Sequence, residues 1–439
     1  MPIVALLVVA LGCVPRSGDD AASMRFVDVA AQVGLDGAGA PRLCVADVDA
    51  DGRPDLVLDR TRVMLNRAAN ADAGGGSAPS PPGFLFLEVE SRLEHPGVDG
   101  VSIFADLDGD AIPDAIVVRS RGAAAWQRGR GDGSFDDAAP LEGARPGTVA
   151  AIAAGDADRD GRTDLFVTHW YRAYGERLDA DPADLLLQRR DESGAIRFER
   201  HPLPEDDAEF DEERDAGGRP IYGALIAQLV DASEAPPPQL IELAYGRRWN
   251  RLYARRAPAA DGASSEREWV DRAPALGFDG DEDRSGTYPP WLRERAATDP
   301  RFDRTDEKPF RSNGNTFDAS IGDLDGDGRF DAVLAEITHA WAGPSSDRSR
   351  VLVRRGDRFE SPPEWSLDRI PSDDSDQARR WNQGDLFVEL ADFDLDGRLD
   401  LALASGDYPD PPPFDERLRI LLQRSEGDAA APSDGPRDA

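Results

Sequence analysis

The chain holds 439 residues, 51 of them basic and 85 acidic, for a net charge of −34 at neutral pH. So acidic a chain excludes nucleic acid as a partner, because phosphate backbones are bound through an excess of Lys and Arg. The length admits two or three average domains or one large all-β domain, and internal repeats favour the single large domain.

The N-terminus carries nine apolar residues, Ile3 to Leu11. They are too few to span a bilayer as a helix and suit the core of a secretory signal. The following Ala10-Leu11-Gly12-Cys13 resembles a bacterial lipobox, whose cysteine becomes the acylated first residue of the mature protein. The expectation is a signal peptide over residues 1–12, lipidation at Cys13 and a lipidated tether over 13–24. The protein would be exported to a bacterial cell envelope, periplasmic or surface-exposed, and would touch the membrane through its lipid anchor only. Acylated Cys13 could form no disulfide, which leaves Cys44 as a small core residue.

An aromatic strand follows, Phe26-Val27-Asp28-Val29, and then the pattern D-x-D-x-D-G-x-x-D with an apolar residue after it. This pattern occurs at Asp47 to Asp55, Asp106 to Asp114, Asp156 to Asp164, Asp323 to Asp331 and Asp392 to Asp400. Carboxylates at positions 1, 3, 5 and 9 converge only if the chain curls tightly, and Gly at position 6 tolerates the positive φ that the curl needs. Hard oxygen donors in such a loop suit Ca²⁺. The expected ligands are Asp47, Asp49, Asp51 and Asp55; Asp106, Asp108, Asp110 and Asp114; Asp156, Asp158, Asp160 and Asp164; Asp323, Asp325, Asp327 and Asp331; and Asp392, Asp394, Asp396 and Asp400. A backbone carbonyl near position 7 would complete each set, from Arg53, Ile112, Arg162, Arg329 and Arg398. Four or five ions are expected, since Ala111 replaces the position-6 Gly of the second loop.

These loops are not EF-hands. Position 12 is Leu58, Val117, Val167, Leu334 and Leu403 in place of a bidentate Glu. Short apolar runs flank them, such as Leu165-Phe166-Val167, so each unit reads as strand, loop, strand. A decayed sixth copy aligns without gaps from Asp231 to Gln239. A third strand and an aromatic fourth piece follow most loops, giving blades of about four strands. The last loop lacks an aromatic fourth strand, whereas Phe26 to Val29 precedes any loop. The first strand is therefore expected to complete the last blade and close a ring. The predicted fold is an all-β propeller of six or seven blades over residues 25–424, six preferred, with a disordered tail over 425–439.

On the five Asp loops and the Phe26-Val27-Asp28-Val29 … Gly34-Leu35 strand, the chain resembles the FG-GAP / VCBS-type repeats of bacterial envelope proteins, related to the integrin α-subunit propeller. The resemblance implies a calcium-stabilised propeller used for ligand binding, adhesion or assembly. Antiparallel neighbours put the loops after each second strand on the face opposite the Asp loops. Those loops carry His169, Trp170, Tyr171, Trp249, His339, Trp341 and Tyr408, and aromatics with polar tips suit a glycan or protein ligand. The four histidines show no metal-ligand spacing, and no nucleophile motif or phosphate loop occurs. The reading is a non-enzymatic, envelope-tethered, monomeric binding propeller. The alternative is a propeller polysaccharide lyase or hydrolase with its site on the aromatic face.

Overall fold

The computed structural model describes residues 25–36, 38, 42–69, 83–97, 100–118, 124–143, 148–173, 180–203, 220–229, 238–244, 249–255, 269–280, 290–298, 316–336, 349–362, 365, 367, 385–405 and 417–424. Residues 1–24 and 425–439, with Cys13, the signal and the tail, lie outside them. Among the described residues no helix is long and apolar enough to cross a membrane.

The described strands form six four-stranded antiparallel sheets. Blade 1 runs Leu43–Ala46, Asp55–Leu58, Arg62–Ala68 and Phe84–Val89. Blade 2 runs Val101–Ala105, Asp114–Val118, Ala124–Gln127 and Ala139–Pro140. Blade 3 has Val149–Gly155, Asp164–His169, Asp184–Arg190 and Ile196–Pro202, and blade 4 has Ile221–Ala227, Gln239–Ala244, Arg251–Arg255 and Trp269–Asp271. Blade 5 has Thr316–Gly322, Asp331–Glu336, Arg350–Arg355 and Arg358–Glu360. Blade 6 takes Asp385–Ala391, Asp400–Ser405 and Arg417–Arg424, and its fourth strand is Arg25–Asp28 from the chain's beginning.

The expected closure is present. Arg25–Asp28 pairs antiparallel with the last strand, Phe26 opposite Gln423 and Asp28 opposite Leu421. The first strand of each blade contacts the first strands of both neighbours, and the contacts complete a circuit. The molecule is a six-bladed β-propeller, and the seven-bladed option falls. In blade 2 the aromatic Phe135 makes an isolated bridge to Gly129 ahead of a short fourth strand.

Six apolar clusters hold the ring, one at each junction between consecutive blades. Second strands are buried on both faces, as in Asp55–Leu58, Asp114–Val118 and Asp331–Glu336. Each is sandwiched between two neighbouring blades, which explains why these strands read as unbroken apolar runs and not as alternating ones. Cys44 is half-buried and packs against the cluster between blades 1 and 2, and burial pushes its thiol pKa up.

Candidate functional site

Each Asp loop joins the first and second strands of a blade, and its backbone folds around its own first carboxylate. In loop 1, Asp47 accepts the Asp51 N–H at 3.0 Å and the Gly52 N–H at 2.9 Å. The same two bonds recur on Asp106, Asp156, Asp323 and Asp392. The curl needs two left-handed residues and not one: position 4 (Ala50 φ 57, Gly109 φ 87, Arg159 φ 63, Gly326 φ 73, Leu395 φ 58) as well as position 6. Ala111 adopts the same conformation as the glycines at position 6, with φ 69, and carries its steric cost.

The ninth residue is a structural staple. Asp164 is fully buried and accepts the Ala157 N–H of its loop at 2.9 Å and the Gln188 N–H of the third strand at 2.8 Å. Asp55, Asp114, Asp331 and Asp400 are also fully buried and make the same pair of bonds. Burial, opposed by these N–H bonds and reinforced by the neighbouring aspartates, pushes their pKa values up. Asp55, Asp164 and Asp331 reach about 7, Asp114 about 6 and Asp400 about 8.

One oxygen from each of positions 1, 3 and 9 lies within 4.8 Å of the others in all five loops. Asp49 Oδ1 and Asp394 Oδ1 are buried oxygens without a hydrogen-bond donor among the described residues. A buried carboxylate oxygen lacking a donor is costly unless a cation meets it, even where, as here, the other oxygen is ion-paired. The donors are all hard oxygens, so the five triads could hold metal ions and are compatible with Ca²⁺. The fifth residue stands apart from each triad. Its Oδ1 accepts the N–H of position 7, as Asp51 does from Arg53 and Asp110 from Ile112, in a tight side-chain turn.

Sequence reasoning missed position 2. Val48, Leu107, Ala157, Leu324 and Phe393 are each buried in the cluster shared with the next blade. Three of their carbonyls are also gripped from that blade: Asn66 Nδ2 donates to Phe393 O at 3.0 Å, Gln188 Nε2 to Leu107 O at 3.1 Å and Gln423 Nε2 to Leu324 O at 3.2 Å. The loops are therefore joints between blades. A repeating apolar residue between two aspartates was the available signal.

The decayed loop in blade 4 needs a correction. Ala227 pairs with Gln239, as Gly155 pairs with Asp164, and Leu229 N–H donates to Gln239 Oε1 at 2.7 Å. Leu229 is buried at the junction of blades 4 and 5. Gln228 and Leu229 thus hold positions 1 and 2, and the gapless alignment that started at Asp231 is wrong by three residues. Asp231 itself lies outside the described residues.

On the opposite face the structure separates the expected ligand residues. His169 is buried, donates from Nδ1–H to Pro182 O at 2.9 Å and has its pKa lowered by burial, so it belongs to the interior of blade 3. Trp170 is half-buried and edge-on to Tyr171 at 4.9 Å and to Tyr222 at 5.3 Å. Trp249 is half-buried ahead of blade 4's third strand. His339, Trp341 and Tyr408 lie outside the described residues.

The Trp170 group extends through residues the sequence reading did not single out. Tyr222 packs on Phe317 with ring centroids 3.7 Å apart, and the Arg42 guanidinium lies over Tyr222 and Phe387 at 5.8 and 5.1 Å. Tyr222, Phe317 and Phe387 stand near the starts of first strands, so this group surrounds the mouth of the central channel away from the Asp loops. Register shifts fall at Tyr222 and at Phe317, and such bulges re-aim side chains. Beside Arg42, Asp318 accepts the Val388 N–H at 3.1 Å, and Ser320 accepts the Leu390 N–H at 2.9 Å and donates to Glu389 at 3.4 Å. Burial raises Asp318 to about 7 against the pull of Arg42, and burial together with Asp318 raises Glu389 further above its usual range.

The family model described as an FG-GAP-like repeat matches residues 106–167, which contain the second and third Asp loops. No curated protein sequence matches. Among solved structures, an Agrocybe aegerita lectin structure described by its recognition of non-reducing terminal N-acetylglucosamine is 13% identical, covering 91% of this chain and 80% of that one at a TM-score of 0.38. A PQQ-bound aldose sugar dehydrogenase from Streptomyces coelicolor is also 13% identical, covering 93% and 100% at 0.42. A V. cholerae biofilm matrix protein is 14% identical, covering 77% and 38% at 0.29. Likeness at this level carries no argument about ligand or chemistry.

Proposed function

We propose that this six-bladed β-propeller, which matches an FG-GAP-like repeat over residues 106–167, is a calcium-stabilised, non-enzymatic binding module of that type. The observation that carries the reading is the repeated triad of positions 1, 3 and 9 at a joint between blades. Calcium there would offset the burial of the ninth carboxylate and the repulsion among its neighbours. When bound, the ion supplies charge neutralisation and cross-linking and no reaction step. The chain's own residues hold the joint: position 2 seals the junction and position 9 ties loop to third strand.

The ligand face of this reading is the channel mouth around Trp170, Tyr222 and Phe387, with Arg42 between rings. Flat aromatic surfaces beside polar groups suit a glycan or an extracellular protein segment. Export and the Cys13 lipid anchor would present this face in the envelope, on a monomer. The test has two arms on the purified chain. Bound calcium is counted and melts are compared before and after chelation, with five ions and a large fall in melting temperature expected; no bound ion would end the calcium reading. Glycan and peptide arrays are then probed with Trp170→Ala beside the wild type. Binding that this substitution does not change would move the ligand site elsewhere.

A second reading rests on Asp318 and Glu389, two buried carboxylates beside the mouth with raised pKa values. Paired carboxylates perform glycoside hydrolysis. Turnover of a polysaccharide panel that disappears in Glu389→Gln would establish that enzyme; no turnover by the wild type would dismiss it.

A further inference from the structure

At the end of every third strand stands a hydrogen-bonding residue followed by arginine: Asn66-Arg67, Gln127-Arg128, Gln188-Arg189, Arg255-Arg256, Arg354-Arg355 and Gln423-Arg424. Arg256 lies outside the described residues. In the five blades with an Asp loop, the arginine reaches its own loop. Arg67 pairs with Asp49 and, at 2.9 Å, with Asp51. Arg128 pairs with Asp108 at 2.7 Å and Asp110 at 2.6 Å, although blade 2 supplies it from a different register, with Gly129 opposite Asp114. Arg189 meets Asp158 at 3.4 Å and Asp160 at 3.3 Å, and Arg424 meets Asp394 at 3.0 Å and Asp396 at 3.4 Å. Arg355 meets Asp325 alone, at 2.6 Å.

The contacts fall on positions 3 and 5. Among the described residues none of these arginines ion-pairs with position 1 or 9. The guanidinium thus takes one oxygen of a triad member in all five blades, and in blades 1, 2, 3 and 6 it also holds the fifth carboxylate, which lies outside the triad. In blades 3 and 6 the position-7 arginine adds a second grip on position 5, Arg162 on Asp160 and Arg398 on Asp396, and in blade 5 Arg329 holds Asp327 in place of Arg355.

We infer that Arg67, Arg128, Arg189, Arg355 and Arg424 are resident counter-cations that compete with calcium for their own loops. This inference rests on the calcium reading above. Two cations a few ångströms apart repel, and each carboxylate oxygen held by a guanidinium N–H, the Oδ2 in every case, is closed to a metal while Oδ1 of the third residue is not. Calcium therefore binds against the arginine's charge and gains the held oxygens only by displacing it. The metal-free loop keeps its fold because arginine covers its charge. The loop's affinity falls below what four free carboxylates would give, toward the roughly 10⁻⁴–10⁻³ M of extracellular calcium modules.

The test uses the full-length chain and two substitutions, Arg67→Gln and Arg355→Gln, with calcium affinity read by competition against a chromophoric chelator. Arg67→Gln is expected to tighten one site about tenfold, and Arg355→Gln, which frees one carboxylate, about threefold. Both variants should melt lower than wild type without metal and closer to it under saturating calcium, because the ion then covers the charge that the arginine covers in the metal-free state. Unchanged or weaker calcium binding in Arg67→Gln, beside a wild type that binds, would overturn the inference alone. No calcium binding by wild type or variants would remove the calcium reading and this inference with it.

Discussion

Blade 4 and blade 3 are neighbours with the same four-stranded plan, and they answer one structural need in two ways. In both, the residue opening the second strand accepts the N–H of position 2 and so fixes the loop. Blade 3 does this with Asp164 across eight intervening residues after Gly155, and blade 4 with Gln239 across eleven after Ala227. Both side chains are fully buried. A buried carboxylate needs a counter-charge, whereas a buried amide needs only hydrogen bonds. The loop with three aspartates to gather a cation keeps the acid, and the loop without them carries the neutral group. Blade 4 thus shows that a neutral amide can make the bond that fixes the loop, whereas the five acidic staples stand in triads compatible with a metal ion.

The largest effect should come from removing the staples one at a time. Asp164→Ala strips two buried N–H groups of their acceptor and should cost about 2–4 kcal/mol. Much of calcium's stabilisation, about 2.7 kcal/mol per site at a hundredfold excess over Kd, should go with it. Gln239→Ala leaves the Leu229 N–H without this acceptor and should cost about 1–2 kcal/mol, the same with calcium or chelator. Denaturant melts of both variants under both conditions check the contrast. A calcium-dependent cost in Gln239→Ala would erase the distinction between the two blades.

A smaller effect concerns pH. Asp55, Asp164 and Asp331 are pushed up to about 7 and Asp400 to about 8, chiefly by burial, while the unfolded chain loses those protons near pH 4. A raised folded-state value means the folded chain holds more protons, so stability is present below the unfolded value and lost as pH rises through the folded one. With chelator present, the melting temperature should therefore fall between about pH 5 and pH 8. Saturating calcium, which needs these groups ionised, should flatten or reverse that slope. Gln239 contributes nothing to it.

The smallest effect is at Ala111, the one non-glycine at position 6. Ala111→Gly relieves a left-handed alanine and should stabilise the chain by up to about 1 kcal/mol. Unfolded-chain entropy works against part of that gain. A melt with chelator present separates this backbone effect from any change in metal affinity.

The recurrence of Asp at 1, 3, 5 and 9, the four-strand unit and the displaced first strand were all legible in the linear chain, because each is a matter of local spacing. The six-blade count followed from pairing Phe26 with the last unit. Other features depended on which residues meet across blades. The role of position 2, the amide grip from Asn66, Gln188 and Gln423, and the three-residue offset at Gln239 emerge only when neighbours are seated. His169 sits in sequence beside Trp170, yet one faces the interior of blade 3 and the other the channel mouth. Tyr222 and Phe317 gave no warning, since a bulge is not written in composition.

The sequence by itself determined a closed ring of Asp-rich loops on β-blades, because turn chemistry and strand periodicity act over fewer than a dozen residues. Only the tertiary structure decided which carboxylates converge, which arginine opposes them and which aromatics share the channel mouth. Those outcomes rest on side chains brought together from different strands, and often from different blades, and local spacing carries no record of them.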